Sequence, residues 1–286
     1  MRHAVVSSVR IVKISAPDPG ASVFSSVEAD DLLAVEEPLE IGLVHGPVSD
    51  RKLKSLSVTM CTPGNDTELA VGFLFTEGII RSKNDIVSVN ETETEKGRQV
   101  LVALQPGCSF DPARIERHFY TSSSCGVCGK TSIEAVKQSL PGTQKPDGLQ
   151  VAARVIAQLP QSLREHQNVF RETGGLHAAA YFETGGNLLL TREDVGRHNA
   201  LDKLVGAALE AGKIPLDNGI LLLSGRASFE LIQKAAMAGI RIVCAVGAPS
   251  SLAVELAGEN GMTLVGFLRD GRFNIYCGAA RINAKT

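Results

Sequence analysis

The sequence contains no tryptophan, and aromatic residues make up only 5% of its 286 residues. This scarcity argues against a surface for stacking single-stranded nucleic acid, because such surfaces depend on aromatic side chains. Neither sign of charge dominates: the net charge of −2 is too small to attract nucleic acid or an anionic membrane strongly. The composition therefore predicts an ordinary globular protein that binds neither nucleic acid nor a membrane.

Long apolar runs are also lacking. The densest one, Ile220-Leu221-Leu222-Leu223, has the length of a strand, and the first ten residues lack the apolar stretch of a secretory signal. The six cysteines are too few to form a disulfide scaffold in a chain of this size. These features together predict a cytoplasmic protein whose thiols are reduced.

The distribution of apolar and turn-forming residues divides the chain into four parts. We expect a weakly ordered tail over residues 1–35, a small α+β domain over 36–120, and a mobile loop, helix and hinge over 121–148. From residue 149 to 286, short strands alternate with helices. This alternation predicts an α/β domain with a mixed, largely parallel sheet flanked by helices.

Polar segments follow the predicted strands of the last domain. In open α/β sheets, ligands bind beyond the carboxyl ends of the strands. The segments that reach that edge carry arginines, hydroxyl groups and the starts of two helices, and they comprise residues 192–198, 224–228, 247–251 and 269–272. This chemistry is typical of a rim that binds phosphate.

Cys125 and Cys128 form a Cys-x-x-Cys pair within a stretch of small, polar and glycine residues. Such a stretch buries little apolar surface, so we expect an exposed, mobile loop. Residues 131–134, Thr-Ser-Ile-Glu, have the pattern of a capping box and predict that a helix begins just after the pair. The helix N-terminus and Lys130 would both lower the pKa of Cys128 and so increase its thiolate fraction.

Three chemistries are open to this pair. A zinc site needs four ligands, but the sequence has no second Cys-x-x-Cys and no spaced histidine pair, so His177 or His198 would have to come from afar. A thioredoxin-type dithiol commonly follows a tryptophan, which this chain lacks. A persulfide carrier, in which a thiolate accepts a sulfane sulfur and the loop carries it to an acceptor, fits the exposure and the helix start best.

Other motifs give weaker signals. Gly129-Lys130-Thr131 is not a P-loop, because Ser124 stands where the first glycine should be, and no His-x-Glu of a zinc deaminase is present. A lone histidine at the start of an apolar strand, such as His177, is more often structural than catalytic. Arg269 and Arg272, on either side of a glycine after a strand, are better candidates for phosphate contact, although a solvated turn would have the same pattern.

Several ordered blocks of the sequence resemble the formate dehydrogenase accessory sulfurtransferase family. The resemblance begins near residue 37 and continues almost to the C-terminus. The blocks are residues 60–63, 68–74, 76–79, 123–130, 173–179, 193–203, 224–228, 248–253 and 272–276.

The resemblance implies a sulfurtransferase with a persulfide intermediate. Members of the family take sulfur from a cysteine desulfurase and pass it to the molybdenum of the bis-molybdopterin guanine dinucleotide cofactor, which then enters formate dehydrogenase. By this resemblance Cys125 would carry the persulfide and Cys128 would assist it. The matching cofactor-binding residues would be Phe267, Leu268, Arg269, Asp270, Gly271 and Arg272.

The same resemblance implies a fold similar to cytidine deaminases without their zinc, and a homodimer. It therefore implies no structural metal, and its expected partners are a cysteine desulfurase and formate dehydrogenase. The alternative function is a non-catalytic carrier of the molybdenum cofactor, in which the Cys-x-x-Cys pair has only a structural or docking role.

Overall fold

Two main β-sheets, connected through a pair of crossing helices, form most of the structure. The computed structural model describes residues 4–18, 22–94, 97–108, 148–269 and 271–284. The Cys-x-x-Cys pair and the helix predicted after it lie outside the described residues. Within the described ranges, no helix is both long enough and apolar enough to cross a membrane.

The described chain begins with an antiparallel hairpin, in which β1 (Val6–Ser15) pairs with β2 (Ser25–Ala34) over ten residues each. The prediction of a weakly ordered tail is wrong for these two strands. Valine and isoleucine recur along β1, and β-branched residues favour extended backbone. Most side chains of the hairpin remain exposed, so backbone pairing rather than a core defines it.

The first main sheet has the strand order β4-β3-β6-β5. Its members are β3 (Glu37–His45), β4 (Lys52–Cys61), β5 (Ile86–Thr94) and β6 (Gly97–Leu104), and the helix α1 (Asp66–Thr76) follows β4. Alternate residues of β6 are buried, as expected for a sheet with one face on a core. These strands and α1 lie in the stretch for which the sequence analysis expects a small α+β domain.

The second main sheet has six strands in the order β13-β12-β11-β10-β8-β9. Its strands are β8 (His177–Glu183), β9 (Leu188–Asp194), β10 (Gly219–Leu223), β11 (Ile242–Ala245), β12 (Thr263–Arg269) and β13 (Arg272–Cys277). Two short strands, β7 (Val151–Ala152) and β14 (Ile282–Asn283), pair separately. The helices are α2 (Ala153–His166), α3 (Asn168–Thr173), α4 (Arg197–Glu210), α5 (Phe229–Met237) and α6 (Ser251–Glu259).

The six-stranded sheet is mixed, as predicted, but it is not largely parallel. Only β10, β11 and β12 run parallel, and the other three neighbouring pairs are antiparallel. The reason lies in the connections. Helices link the central strands and permit parallel pairing, whereas short turns join β8 to β9 and β12 to β13 and therefore impose antiparallel pairing.

Helices cover both faces of this sheet. One face packs on α4, α5 and α6, and its core is continuous with that of the first sheet. The other face packs on α2 through Ile156, Leu159 and Leu163. The sequence analysis does not predict α2, although the spacing of these three apolar residues is that of a helix and Pro160 is tolerated within it.

The two main sheets are connected where α1 crosses α4. A Cβ atom on Gly72 would collide with the carbonyl oxygen of Asp202, and a Cβ atom on Gly206 would collide with that of Glu68. The helix backbones therefore approach closely because both contact positions are glycines. Buried polar contacts surround the crossing: Lys234 Nζ lies 3.0 Å from Asp202 Oδ2, and Thr76 Oγ1 donates to Asp202 Oδ1 at 2.7 Å.

Replacing Gly72 by alanine should lower the free energy of unfolding by about 3 kcal/mol or more, because the new methyl group meets backbone that cannot move aside. Urea denaturation followed by circular dichroism measures this. Gly258→Ala is the matched control: this glycine lies in α6 with open space around it. The control should gain about 0.5–1 kcal/mol from helix propensity. Equal effects of the two substitutions would contradict the proposed role of the crossing.

Candidate functional site at the strand ends

The loops that follow β10, β11 and β12 meet at one edge of the sheet. Gly247 N donates to Gly225 O at 3.0 Å, and Phe267 N donates to Gly247 O at 3.1 Å. Ser250 N donates to Ala227 O at 3.0 Å as well. Backbone hydrogen bonds therefore join the predicted segments 224–228 and 247–251 to each other and connect the second of them to Phe267 near the end of β12.

A cavity of about 640 Å³ opens at this edge. This volume is within the range of sites that hold small molecules or cofactors. One wall belongs to α2 and α3 and includes Pro160, Gln161, Leu163, Arg164, Gln167 and Phe170. The facing wall comes from the strand ends and includes His177, Ser224, Val246, Leu268, Arg269 and Gly271.

The predicted cofactor segment lies at this cavity. Leu268, Arg269 and Gly271 line the cavity, and Arg269 pairs across the turn with Arg272, whose side chain is exposed. Asp270 lies outside the described residues. A role of this segment in cofactor binding stays a prediction.

Phe267 has an unusual backbone conformation, with φ of 53°. A bulky residue in the left-handed region is a genuine outlier, and such strain concentrates at functional sites. The strand register shifts between Gly266 and Arg269, which marks a bulge. The bulge leaves Phe267 40% exposed while Leu268 is fully buried. The segment therefore presents an aromatic ring at the same edge as the cavity.

His177 is half-buried at the start of β8. Gly225 packs against its ring, so that a Cβ atom at position 225 would lie 3.3 Å from Nδ1. Burial, and then the nearby Arg197 and His198, lower the pKa of His177 below its ordinary value. The imidazole is therefore neutral at pH 7 where it lines the cavity.

The turn from β9 into α4 is held by a buried carboxylate. Asp194 Oδ2 lies 2.7 Å from Lys203 Nζ and accepts from Thr62 N at 3.1 Å. Its other oxygen accepts from Gly196 N at 2.8 Å. Thr62, the residue that follows β4 of the first sheet, thus helps to position the start of α4 beside the strand ends.

Two residues of the predicted rim have other contacts. Arg192 binds Glu68 of α1 through both nitrogens Nε and Nη2, at 2.5 and 2.7 Å, so it connects β9 to the first sheet. His198 Nε2 lies 2.9 Å from Glu230 and 3.3 Å from Ser228 Oγ, at the start of α5. Of the arginines in the four segments, Arg269 is the one that lines the cavity.

The four cysteines within the described residues are poor nucleophiles. Burial raises the pKa of each of these thiols, to about 11 for Cys61 and above the ordinary value for Cys108, Cys244 and Cys277. A thiol with a raised pKa has little thiolate at neutral pH. In the same part of the chain, no three His, Cys, Asp or Glu side chains are grouped to hold a metal ion.

Sequence reasoning missed the wall of the cavity that α2 and α3 supply. Gln161, Arg164 and Gln167 line it from α2 and its C-terminal end. The helical spacing of the apolar residues in α2 was the signal that could have predicted this helix. A helix there would have placed the polar residues near its C-terminal end together. Glu193 positions the start of α3 relative to the sheet, because its carboxylate accepts from Phe170 N at 3.0 Å and from Val169 N at 3.2 Å.

The fold and the cavity define an α/β protein with a ligand-sized site at the carboxyl ends of its strands. A sequence model of the FdhD/NarQ family matches residues 34–283. The chain therefore belongs to the FdhD/NarQ family.

Curated relatives support this assignment over most of their length. The sulfur carrier protein FdhD of Mycolicibacterium paratuberculosis is 49% identical over 90% of this chain and 94% of its own. The protein of the same name from Thermoplasma volcanium is 44% identical over 90% of this chain and 91% of its own.

A crystal structure from Desulfotalea psychrophila, assigned as a formate dehydrogenase accessory protein, has a similar fold. Its TM-score is 0.72 at 24% identity, with 98% of this chain and 100% of that chain covered.

Lowering the pH below about 6.5 should reduce the free energy of unfolding, because the unfolded state binds the His177 proton more tightly than the folded state does. The loss should begin at the ordinary histidine pKa and continue as the pH falls to the lower folded pKa. In His177→Gln this contribution should disappear. Urea titrations between pH 5 and about pH 8 measure the two slopes. Identical slopes for the two proteins would contradict the assignment of a neutral, partly buried imidazole.

Proposed function

We propose that this protein is a sulfurtransferase that carries sulfur to the molybdenum cofactor of formate dehydrogenase. It accepts the sulfur from a cysteine desulfurase as a persulfide on Cys125 and delivers it to bis-molybdopterin guanine dinucleotide held at the strand-end cavity. The observation that carries the proposal is the cavity itself, lined by Leu268, Arg269 and Gly271 of the predicted cofactor segment. Family membership and relatives named sulfur carrier proteins support it.

The cavity is suited to bind one end of this cofactor. Its walls combine apolar residues with polar groups on both sides, and a ring system with polar substituents needs both kinds of contact. Arg269 supplies a guanidinium group that binds phosphate oxygens through two hydrogen bonds. At the same edge, Ser250 caps the N-terminus of α6, and its side chain accepts from Ala253 N at 3.2 Å. The exposed ring of Phe267 adds a surface for stacking against a base.

The sulfur chemistry is assigned to the Cys-x-x-Cys pair. The thiolate of Cys125 attacks the outer sulfur of the desulfurase persulfide, the sulfur–sulfur bond breaks, and the desulfurase cysteine leaves as a thiolate. For release, the thiolate of Cys128 attacks the inner sulfur of the Cys125 persulfide. The terminal sulfur then leaves as hydrosulfide toward the cofactor, and the two electrons come from the cysteines, which form a disulfide. A thiol reductant restores the pair.

Incubation with a cysteine desulfurase and cysteine should add about 32 Da to the protein, the mass of one sulfur, as measured by intact-protein mass spectrometry. Cys125→Ala should lose the adduct. Cys108→Ala is the control, because its partly buried thiol has a raised pKa, and this variant should keep the adduct. No adduct on any form would overturn the sulfurtransferase and favour a non-catalytic cofactor carrier.

Different substitutions should abolish cofactor binding and sulfur loading independently. Arg269→Ala should weaken binding of GDP, used as a probe for the cofactor's nucleotide end, by about tenfold or more, because a charge-assisted hydrogen bond is lost. Its sulfur adduct should be unchanged. Arg154→Ala, an exposed arginine of α2 that does not line the cavity, is the matched control. Cys125→Ala should bind GDP normally. If Arg269→Ala and Cys125→Ala both lost GDP binding, or both lost sulfur loading, the assignment of the two functions to separate residues would be wrong.

The same function requires macromolecular partners. A cysteine desulfurase must reach Cys125, and formate dehydrogenase must receive the sulfurated cofactor. We also expect a homodimer, which sedimentation equilibrium of the purified protein tests directly. These partners follow from the proposed reaction, since the sulfur donor and the final acceptor are both proteins.

A further inference from the structure

The N-terminal hairpin exposes apolar residues on a two-stranded ribbon. No residue of β1 or β2 is buried, and among the described elements only α3 packs appreciably against the hairpin, through β2. The apolar residues of these strands that are at least 39% exposed are Val9, Val12, Ile14, Val27, Leu32 and Leu33. An isolated two-stranded hairpin is marginally stable at best in water, and exposed apolar patches mark interaction sites. The ribbon is therefore suited to pack on another protein surface.

A second exposed apolar surface lies on β4, which is an edge strand of the first main sheet. Leu53, Val58 and Met60 are 62%, 65% and 48% exposed. Their partners on β3 are Val44, Glu40 and Pro38, which alternate with the core residues of that strand. Because paired residues lie on the same face of a sheet, the three apolar side chains of β4 share the face that points away from the core.

The edge of the hairpin that β2 forms is acidic. Glu28, Asp30 and Asp31 lie on this strand, which has no basic residue. Arg10 of β1 lies 3.0 Å from Glu28, whereas Asp30 and Asp31 form no ion pair with the residues that the structure describes. Two carboxylates of the ribbon therefore remain available to a positively charged partner.

The N-terminal part of β4 is basic. Arg51 precedes the strand, and Lys52 and Lys54 lie within it, with one acid, Asp50, 3.4 Å from Lys52. The positive charge extends to the neighbouring strand, because burial, and then Lys52, Lys54 and Arg51, lower the pKa of His45. This edge of the sheet therefore attracts an acidic strand.

We propose that β2 of one copy of this chain packs against β4 of a second copy, and that β2 of the second copy packs in the same way against β4 of the first. Each contact joins an acidic strand to a basic one and covers apolar side chains on both. Two such contacts related by a twofold axis close the assembly as a dimer. The inference rests on the homodimer expected with the proposed function and assigns a surface to it, but it does not depend on the sulfur chemistry.

The topology favours this pair of strands over the alternatives. Within the described chain, β2 pairs only with β1 and β4 only with β3, so each has a free edge where backbone hydrogen bonds can form. The other edge strand of the first main sheet, β5, carries Glu91 and Glu93 and would repel β2. The basic edge is therefore the one that an acidic strand selects.

Sedimentation equilibrium of the full chain compares two double variants with the wild-type protein. Asp30→Lys/Asp31→Lys reverses the charge of β2, and Lys52→Glu/Lys54→Glu reverses that of β4. Each variant alone should dimerise at least about tenfold more weakly than wild type, because like charges then face each other at both contacts. An equimolar mixture should recover the dimer to within about threefold of the wild-type Kd, because both contacts of the mixed dimer again join opposite charges.

Glu91→Lys/Glu93→Lys is the matched control, since it reverses two exposed acids on the other edge of the sheet and should keep the wild-type Kd. Thermal unfolding of each variant identifies a loss of fold. If the charge reversal on β4 unfolds the protein, Val58→Ser, a smaller change at an exposed position of that strand, replaces it and should weaken the dimer about fivefold or more.

Unchanged dimerisation of both double variants would overturn the proposal, as would a wild-type protein that is monomeric. Weakening by the β2 variant alone would show that the ribbon binds a surface other than β4, and this result or a mixture that stays monomeric would also overturn it. The mass shift that reports sulfur loading is measured on the same samples. A protein that forms the mixed dimer but accepts no sulfur would reject the proposed reaction and support this interface.

Discussion

The contact between the backbones of α1 and α4 is the constraint on which the rest of the structure depends. Gly72 and Gly206 permit an approach that any side chain would prevent. Because α1 belongs to the first sheet and α4 packs on the second, this contact fixes how the two sheets face each other. It also brings Thr62 to Asp194, and so the first sheet supports the turn that leads to the strand-end edge.

Buried ion pairs fix the orientation in which α1 and α4 pack against each other. Lys234 of α5 lies 3.0 Å from both Asp202 of α4 and Glu77 at the end of α1. Arg98 similarly binds Asp66, and Arg192 binds Glu68. Removing one partner of such a pair leaves a buried charge unpaired and costs about 3–5 kcal/mol. A shifted packing of the helices would separate these partners, so the ion pairs select one orientation among those that apolar packing alone would allow.

Sequence reasoning succeeded where local patterns decide the structure. The strands and helices from β8 to β13 follow from periodicity and turn residues, and the polar loops at their ends follow from topology. It did not find α2, whose apolar residues have helical spacing, or the contact of Arg192 with Glu68, which is 124 positions away in the chain.

The helix α2 contributes both to the hydrophobic core and to the wall of the cavity. Its apolar residues Ile156, Leu159 and Leu163 close the core beneath the sheet, and its other residues form a wall of the cavity. A molecule that fills the cavity therefore adds its binding free energy to the docking of α2 on the sheet. In the sequence, α2 begins 25 residues after Cys128. Ligand binding in the cavity is therefore thermodynamically linked to the docking of α2, the helix that follows the Cys-x-x-Cys pair in the sequence.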